Sequence, residues 1–504
     1  MKKIKSALIS VYYKDGLAPI VQLLNQLGVA IYSTGGTFSF IEREGIEVKA
    51  VESLTAYPEI LGGRVKTLHP KIFGGILARR SEANDISQLE QFDIPEIDLV
   101  IVDLYPFEET VAKTNDGQQI IEKIDIGGVS LIRAAAKNYA DVLVVANRTE
   151  YSALLQILQD GEGSTDLEQR KSFAAKAFAQ TAHYDTQIFK YLNGGTINEF
   201  RESYSGGRQL RYGENPHQKG FFFGNLEGLF QILNGKELSY NNLVDVDAAV
   251  NLLAEFDEPT FVVIKHTNAC GVASRASLLE AWKDALKADP ISAFGGVLAC
   301  NRTLDIATAQ AVNELFFEIL IAPEYDADAL ELLKGKKNRI IIKQRQALKQ
   351  TALFRSLLNG VIMQDADSKT ETIDDLKPVT ERQATAQQVD DLLFANKIVK
   401  HLKSNTIVLV KDGQMLGMGC GQTSRVDALE QAIAKAHKFG FDTQGAVMAS
   451  DAFFPFPDCV QIAAKSGIVA VIQPGGSIKD QDSIDACNEL GLAMVMTGIR
   501  HFKH

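Results

Sequence analysis

Arg64-Val-Lys-Thr-Leu-His-Pro70 gathers two cations, a hydroxyl and an imidazole ahead of a helix-breaking proline. Side chains of these types can neutralise a phosphate and polarise a carbonyl, and Lys14 and Lys137, near other strand ends, would add two more cations. Taken singly, each lysine also reads as a solvated surface charge. Ser33-Thr-Gly-Gly-Thr37 offers two glycines and three hydroxyls ahead of a helix, so successive backbone N–H groups would converge on an anion there. Walker and dinucleotide spacings are absent, which leaves a plain tight turn as the alternative. Asp125-Ile-Gly-Gly128 opens an alanine-rich helical stretch that runs to Lys137, and its glycines admit a ligand close to the backbone. Leu104-Tyr-Pro-Phe107 closes an apolar run with either the Tyr105 hydroxyl presented at a strand end or a packed aromatic corner.

Further along, Arg211-Tyr-Gly-Glu-Asn-Pro-His-Gln218 is dense in side chains that hydrogen-bond and poor in ones that pack. Lys265-His266 follows the apolar run Phe261–Ile264. An adjacent ammonium disfavours imidazolium, which keeps His266 neutral and fit to act as a base near pH 7; a structural histidine at a strand end is the competing reading. Gly419-Cys-Gly-Gln-Thr-Ser-Arg425, Asp451-Ala-Phe-Phe-Pro-Phe456 with Asp458, and Gln473-Pro-Gly-Gly-Ser477 each mix glycine or proline turns with charged or amide side chains. No H-x-E accompanies a P-C-x-x-C pair, so a zinc deaminase is excluded.

These groups need elements to hold them. Over roughly the first 150 residues short apolar runs alternate with helical stretches, the pattern of parallel strands with crossover helices. Strands are expected over 4–11, 29–33, 99–102 and 142–145, and helices over 17–27, ended by Gly28, and from 167 to about 192. Gly194-Gly195 and Ser205-Gly-Gly207 then punctuate the chain, which places a domain boundary near residue 195. Beyond it, Asp289-Pro-Ile-Ser-Ala-Phe-Gly-Gly296 and Ser450-Asp-Ala-Phe-Phe-Pro-Phe456 echo each other and suggest two related α/β subdomains.

A length of 504 residues requires more than one core, and 46% hydrophobic with 23% charged residues is a globular composition throughout. The apolar runs are strand-length, short of the roughly 20 residues a membrane span needs. Met1-Lys-Lys-Ile-Lys-Ser-Ala-Leu-Ile-Ser10 has lysines before an apolar run but no cleavage site, so it reads as a first strand. Five cysteines without a C-x-x-C pair indicate reduced thiols and a cytoplasmic protein, with no zinc or disulfide framework. A net charge of −11 disfavours nucleic acid and membrane surfaces while permitting a local cationic grip on an anionic metabolite.

Taken in order, the motifs resemble one family, the bifunctional enzymes that are both aminoimidazole-carboxamide ribotide (AICAR) formyltransferase and inosine monophosphate (IMP) cyclohydrolase. Ser33–Thr37, Arg64–Pro70, Leu104–Phe107, Asp125–Gly128 and Arg133–Asn138 match its cyclohydrolase domain. Arg211–Gln218, Lys265-His266, Ser292–Gly296, Gly421–Arg425, Ser450–Phe456, Pro474–Ser477 and Arg500-His-Phe-Lys-His504 match its transformylase domain. Asp103 stands where the family often has Asn, Ala269 where it often has Pro, and Tyr12-Tyr13 vary the first phosphate-site segment.

The resemblance implies an α/β protein: a methylglyoxal-synthase-like parallel-sheet domain over 1–195, then a transformylase of two cytidine-deaminase-like α/β subdomains over 200–504. It implies formyl transfer from 10-formyltetrahydrofolate to AICAR, then dehydrative ring closure of formyl-AICAR to IMP. For the transfer, His266 would be the base, Lys265 would stabilise the oxyanion or help proton delivery, and Asn405 would orient the formyl group. Arg211, Tyr212 and Arg500 would hold the nucleotide, Arg211 and Arg500 at its phosphate, Arg425 would be a further substrate-binding residue, and Phe453 and Asp458 would belong to the folate pocket. For ring closure, Lys66 and Tyr105 would polarise the formyl oxygen while Asp125 and Lys137 manage protons. Ser10, Lys14, Ser33, Thr34, Gly36, Thr37, Arg64 and Thr67 would hold phosphate and ribose. No catalytic metal is implied; a structural monovalent cation such as K+ belongs to the family picture, with no ligands assigned here. The implied assembly is a homodimer that shares transformylase sites across its interface.

Overall fold

The first strands carry large apolar side chains on both faces, so these strands must be covered on both sides, which parallel sheets achieve with crossover helices. In the computed structural model β1 (Ser6–Ser10), β2 (Ala30–Ser33), β3 (Lys49–Ala50), β4 (Leu99–Val102) and β5 (Leu143–Val145) form one sheet in the order β3-β2-β1-β4-β5. Every pairing in it is parallel. Leu8, Val100 and Val144 enter one core while Ile9, Ile101 and Val145 enter another on the opposite face. The helices include α1 (Leu17–Gln26), α2 (Gly35–Arg43), α3 (Pro70–Leu77), α4 (Gly127–Lys137) and α5 (Leu167–Asn193).

The structure describes residues 1–348 and 351–504, and the chain divides into two compact units, Met1–Ser205 and Gly206–His504. The break lies ten residues past the position expected from the glycine pair at 194–195. After α5 the chain turns back: Ile197 N–H donates to Asn193 Oδ1 at 2.6 Å, Lys190 pairs with Glu202 at 2.6 Å, and His183 Nδ1 lies 3.0 Å from Ser203 Oγ. These bonds bind the segment to the helix before it.

The second unit is built on twelve strands. Its first half comprises β6 (Phe230–Asn234), α6 (Tyr240–Leu253), β7 (Thr260–Lys265), β8 (Asn268–Ser274), α7 (Leu278–Ala288), β9 (Val297–Cys300), α8 (Ile306–Asn313), β10 (Ile319–Ala322), α9 (Ala327–Lys334) and β11 (Ile340–Gln344). The second half repeats the series with β12 (Lys377–Pro378), α10 (Ala386–Lys400), β13 (Ile407–Lys411), β14 (Gln414–Gly419), α11 (Arg425–Lys438), β15 (Val447–Ser450), α12 (Asp458–Lys465), β16 (Ala470–Gln473), α13 (Asp480–Leu490) and β17 (Ala493–Met496). The sheet runs β6-β11-β10-β9-β7-β8-β14-β13-β15-β16-β17-β12, so the order of one half mirrors that of the other. The halves meet where β8 pairs with β14 at Ala273 and Gln414.

The duplication is present, yet the segments that suggested it are not equivalent. Asp289–Gly296 precedes β9, whereas Ser450–Phe456 begins at the last residue of β15, the counterpart of β9. The shared Ala-Phe core is coincidence; the repeat lives in element order. Among the described residues no helix is long and apolar enough to cross a membrane.

Candidate functional site

In a sheet ordered β3-β2-β1-β4-β5 the winding reverses between β1 and β4, and ligands bind beyond the carboxyl ends of the strands at such a point. Ser10 ends β1 there, and Ser33-Thr34 lead from β2 into α2. Gly35 adopts φ +55° beside Lys66, whose Nζ lies 3.6 Å from where a β-carbon on Gly35 would sit. The Arg64–Pro70 segment therefore reaches the glycine turn, and its cation stands over the N-terminus of α2. Lys66 is also paired with Glu59 at 2.8 Å, and Arg64, exposed, with Glu122. Thr67 is buried against the start of α4: its Oγ1 lies 3.3 Å from a β-carbon position on Gly127.

Asp125 is set by that same helix start. Its Oδ1 accepts the Gly128 N–H at 2.7 Å, its own N–H donates to the Tyr184 hydroxyl at 2.9 Å, and its carboxylate takes a backbone N–H from Tyr105. Burial pushes the Asp125 carboxyl up, against those N–H bonds. Tyr105 is half-exposed, its ring edge-on to Tyr12 at 5.7 Å, with the Lys123 ammonium 5.6 Å above it. Lys66, Thr67, Tyr105 and Asp125 thus line the ends of β2, β4 and α4.

For four of the expected residues the structure shows partners or a position of their own. Lys137 is the last residue of α4, ten residues after its first; at 1.5 Å per residue it stands about 15 Å from the helix start that holds Asp125. There it joins Arg133, Lys171, Phe73 and Phe178 around a separate surface depression. Ser33 and Thr37 are buried with their hydroxyls committed to β1 and its extension. Ser33 Oγ donates to Ile9 O at 2.7 Å, and Thr37 Oγ1 donates to Val11 O at 2.9 Å while accepting the Val11 N–H at 3.1 Å. They build the wall, leaving backbone N–H groups to meet an anion. Arg425 is the fourth, described below. Thr34 Oγ1 donates to Glu52 at 3.0 Å, and the Lys14 ammonium bonds Val11 O and, at 3.1 Å, Tyr12 O. Asp103 fastens this loop by accepting the Tyr12 and Tyr13 N–H groups. The sequence had flagged it only as a departure.

In the second unit, Lys265 and Asn268 are paired across β7 and β8, and His266-Thr267 form the turn. Both turn residues have positive φ, 50° and 64°, which a two-residue hairpin of the favoured hand requires and which Asn and Gly normally supply. Asp412-Gly413, in the equivalent turn between β13 and β14, are such residues, with φ 52° and 65°. A histidine and a β-branched threonine held in this region are backbone outliers of the kind that cluster at functional sites. Asp245, on α6, fixes the turn by accepting the Thr267 N–H at 2.7 Å; no spacing in the sequence announced it. Lys265 Nζ donates to Phe294 O at 3.0 Å and Gly295 O at 2.9 Å, which brings the Ser292–Gly296 motif against the base of the turn.

Asn405 is held through both ends of its amide: Nδ2 donates to Gln422 O at 3.0 Å, and Oδ1 accepts from Arg425 at 2.7 Å. Arg425 is buried, donates to Ser450 Oγ at 2.9 Å, and is ion-paired with the fully buried Asp451. Its guanidinium faces protein groups on this side, so it orients Asn405 where the resemblance had it on a ligand. Cys420 Sγ, 3.4 Å from Asn268 Oδ1, ties the segment after β14, which holds Asn405 through Gln422, to the hairpin of β7 and β8. Phe453 lies two residues past Asp451 and Asp458 opens α12, both half-buried. Arg211 is exposed and stacks on Tyr212 at 5.2 Å; their loop is tied to α6 by Asn241 Nδ2 donating to Glu214 O at 3.0 Å. Arg500 is exposed over Phe502 at 4.3 Å. Among the described residues no three His, Cys, Asp or Glu side chains converge on a metal position.

A family model described as the AICARFT/IMPCHase bienzyme matches residues 135–435, and one described as the MGS-like domain matches residues 16–130. The bifunctional purine biosynthesis protein PurH of Bacteroides thetaiotaomicron is 60% identical over 503 residues, covering 100% of this chain and 99% of its own. The protein of the same name from Persephonella marina is 47% identical over 516 residues, covering 99% of this chain and 100% of its own. A crystal structure of ForH aligns with TM-score 0.34 and 32% identity over 37% of this chain and 96% of that one.

Proposed function

The chain belongs to the AICARFT/IMPCHase bienzyme family, and from that premise we propose how its residues divide the labour. It is a bifunctional enzyme of purine biosynthesis that formylates AICAR and closes formyl-AICAR to IMP, the last two steps of that route. The observation that carries the residue assignment is the His266-Thr267 turn at positive φ, with Asn268 just after it bonded to Cys420 of the segment that holds Asn405 through Gln422.

AICAR's 5-amino group is a poor nucleophile because its lone pair is delocalised into the imidazole ring. His266 takes its proton as it attacks the formyl carbon of 10-formyltetrahydrofolate, and Lys265 stabilises the oxyanion that develops. The C–N bond to N10 then breaks and tetrahydrofolate leaves with a proton. Asn405, fixed at both ends, orients the formyl group. Arg211 and Arg500 suit the nucleotide phosphate, beside Tyr212; Phe453 and Asp458 belong to the folate side.

In ring closure the carboxamide nitrogen attacks the formyl carbon of the same molecule, so proximity is supplied by the substrate. Lys66 and Tyr105 polarise the formyl oxygen. Asp125, whose burial lets it hold a proton at higher pH than an ordinary carboxyl, relays one from the amide toward the oxygen that departs as water. Backbone N–H groups of Thr34–Thr37, with Ser10, Lys14, Arg64 and Thr67, receive the phosphate and ribose. A monovalent cation, where one binds, takes no part in either step. The five free cysteines suit a reducing, cytoplasmic setting.

The test follows tetrahydrofolate release and IMP formation separately. His266→Ala should lower formyl transfer at least about a hundredfold with ring closure of supplied formyl-AICAR unchanged, and Lys66→Ala should do the reverse. Loss of both activities in either folded variant would overturn the two-site assignment.

A further inference from the structure

The C-terminal segment after β17 carries Arg500 and ends beside the Asn405 loop, yet it has no strand or helix to hold it. Besides backbone bonds to neighbouring loops, one buried side chain anchors it. His501 is 2% exposed, with Nδ1 2.6 Å from Asp367 Oδ2 and Nε2 2.9 Å from Glu371 Oε1. A ring nitrogen facing a carboxylate must donate, and here both do, so the ring between them is imidazolium. Glu371 is itself buried and fixed by Asn396 Nδ2, of α10, at 2.9 Å.

The backbone around His501 reaches the transformylase centre directly. The His501 N–H donates to Asp451 O at 3.0 Å. Two residues on, the Lys503 N–H donates to Ser404 Oγ at 3.1 Å and the Ser404 N–H returns a bond to Lys503 O at 2.9 Å. Ser404 Oγ also bonds the Asp451 carboxylate, which accepts the Thr406 N–H at 3.1 Å and pairs with Arg425. Arg425 in turn holds Asn405. A continuous set of bonds therefore runs from the His501 ring to the amide of Asn405, and Arg500 is the next residue in the chain.

We propose that His501 is a positioning residue of the formyl transfer: clamped as a cation between Asp367 and Glu371, it pins the C-terminal segment so that Arg500 and the Asn405 loop keep their working geometry. This rests on the assignment of Asn405 and Arg500 to that site. Burial alone would lower the His501 pKa; the bonds to Asp367 and Glu371 overcome it and push it up to about 9. The surrounding charges are balanced apart from it. Lys400 and His401, at the end of α10, both meet Glu255 at 2.8 Å, and Lys400 also donates to Lys369 O. Burial pushes the Lys503 ammonium down, against Asp247, whose own carboxyl burial pushes up. Deprotonating His501 leaves Asp367 and Glu371 facing each other without a cation, and the clamp opens.

The experiment measures both activities of the full-length enzyme from pH 6 to 10. In the wild type, formyl transfer should fall on the alkaline side with a midpoint near 9 while ring closure does not share that limb. Glu371→Gln removes one carboxylate and should move the midpoint acid-ward by about one unit. His501→Gln should raise KM for AICAR and lower kcat for formyl transfer about tenfold to a hundredfold, with ring closure within twofold. A wild type without formyl transfer would sink the assignment of the site itself. An active wild type whose limb stays put in Glu371→Gln overturns the clamp, including the case in which His501→Gln fails to fold.

Discussion

Asp125 shows how one side chain's setting fixes both its use and its cost. Its folded pKa is raised by burial above the unfolded value of 3.8, so the folded protein binds the proton more tightly. That contribution is complete below the unfolded value and is lost as pH rises through the folded one. Near pH 7 the ionised carboxylate is therefore a liability to the fold, and Asp125→Asn, which keeps an oxygen for the Gly128 N–H, should raise Tm of the first unit by about 2 °C while abolishing ring closure. Calorimetry at pH 7 and near pH 4 decides it: the gain should shrink at the lower pH, and a pH-independent gain would refute the reading. Residue type singled out Asp125, Lys66, Tyr105 and His266 as candidates because chemistry tracks residue type, while Asn405 came from the family resemblance. It could not separate the hydroxyls of Ser33 and Thr37, turned inward to β1, from ligand-facing ones, nor a buried Arg425 from an exposed one, since burial depends on partners distant in sequence. Asp245 and His501 were silent for the same reason: each acts through a carboxylate or backbone partner across the fold.

At the scale of elements, apolar runs and glycine stops predicted strands and helices close to their observed bounds; the expected helix from 167 to about 192 is Leu167–Asn193. Turn chemistry was the harder signal. Asp-Gly at 412–413 is a residue pair that favours such a turn and His-Thr at 266–267 is not, and only the duplicated architecture shows that the two are counterparts. The second half keeps turn residues that favour folding, whereas the first holds a histidine and a threonine in the same conformation. Thr267→Gly should relieve the left-handed strain and stabilise the protein by up to about 1 kcal/mol, the left-handed penalty of roughly 1–2 kcal/mol offset by glycine's extra entropy in the unfolded chain. It should also lower kcat for formyl transfer several-fold because His266 is less firmly held. Chemical denaturation alongside the formyl-transfer assay reads both. A variant that is less stable, or equally active, would mean the turn is not strained in favour of function.

For the whole molecule, the part least visible in the sequence is what covers the hairpin of Ala352–Leu357 and Gly360–Asp365. Among the described residues its strands pair only with each other, and Leu353, Leu357, Val361, Ile362 and Met363 are all exposed. A two-stranded hairpin is marginal in water unless something packs on it, and apolar side chains on both of its faces are what an interface supplies. The homodimer implied by the family resemblance provides an occupant, a second copy of this chain, and would explain why a sequence read one chain at a time assigns these residues no core. Leu353, Leu357 and Ile362 share one face of the pleat, because Arg355 pairs with Ile362 and side chains alternate. The double substitution Leu357→Asp with Ile362→Asp alters no buried position within the chain, so each unit should keep its fold. It should shift the enzyme from dimer to monomer in sedimentation velocity at micromolar concentration, and lower formyl transfer at least about tenfold if the transformylase site is completed across the interface. Ring closure, which we assign to the first unit, should persist in the monomer. A wild type that sediments as a monomer, or a double variant that remains a dimer, would remove the hairpin from the interface.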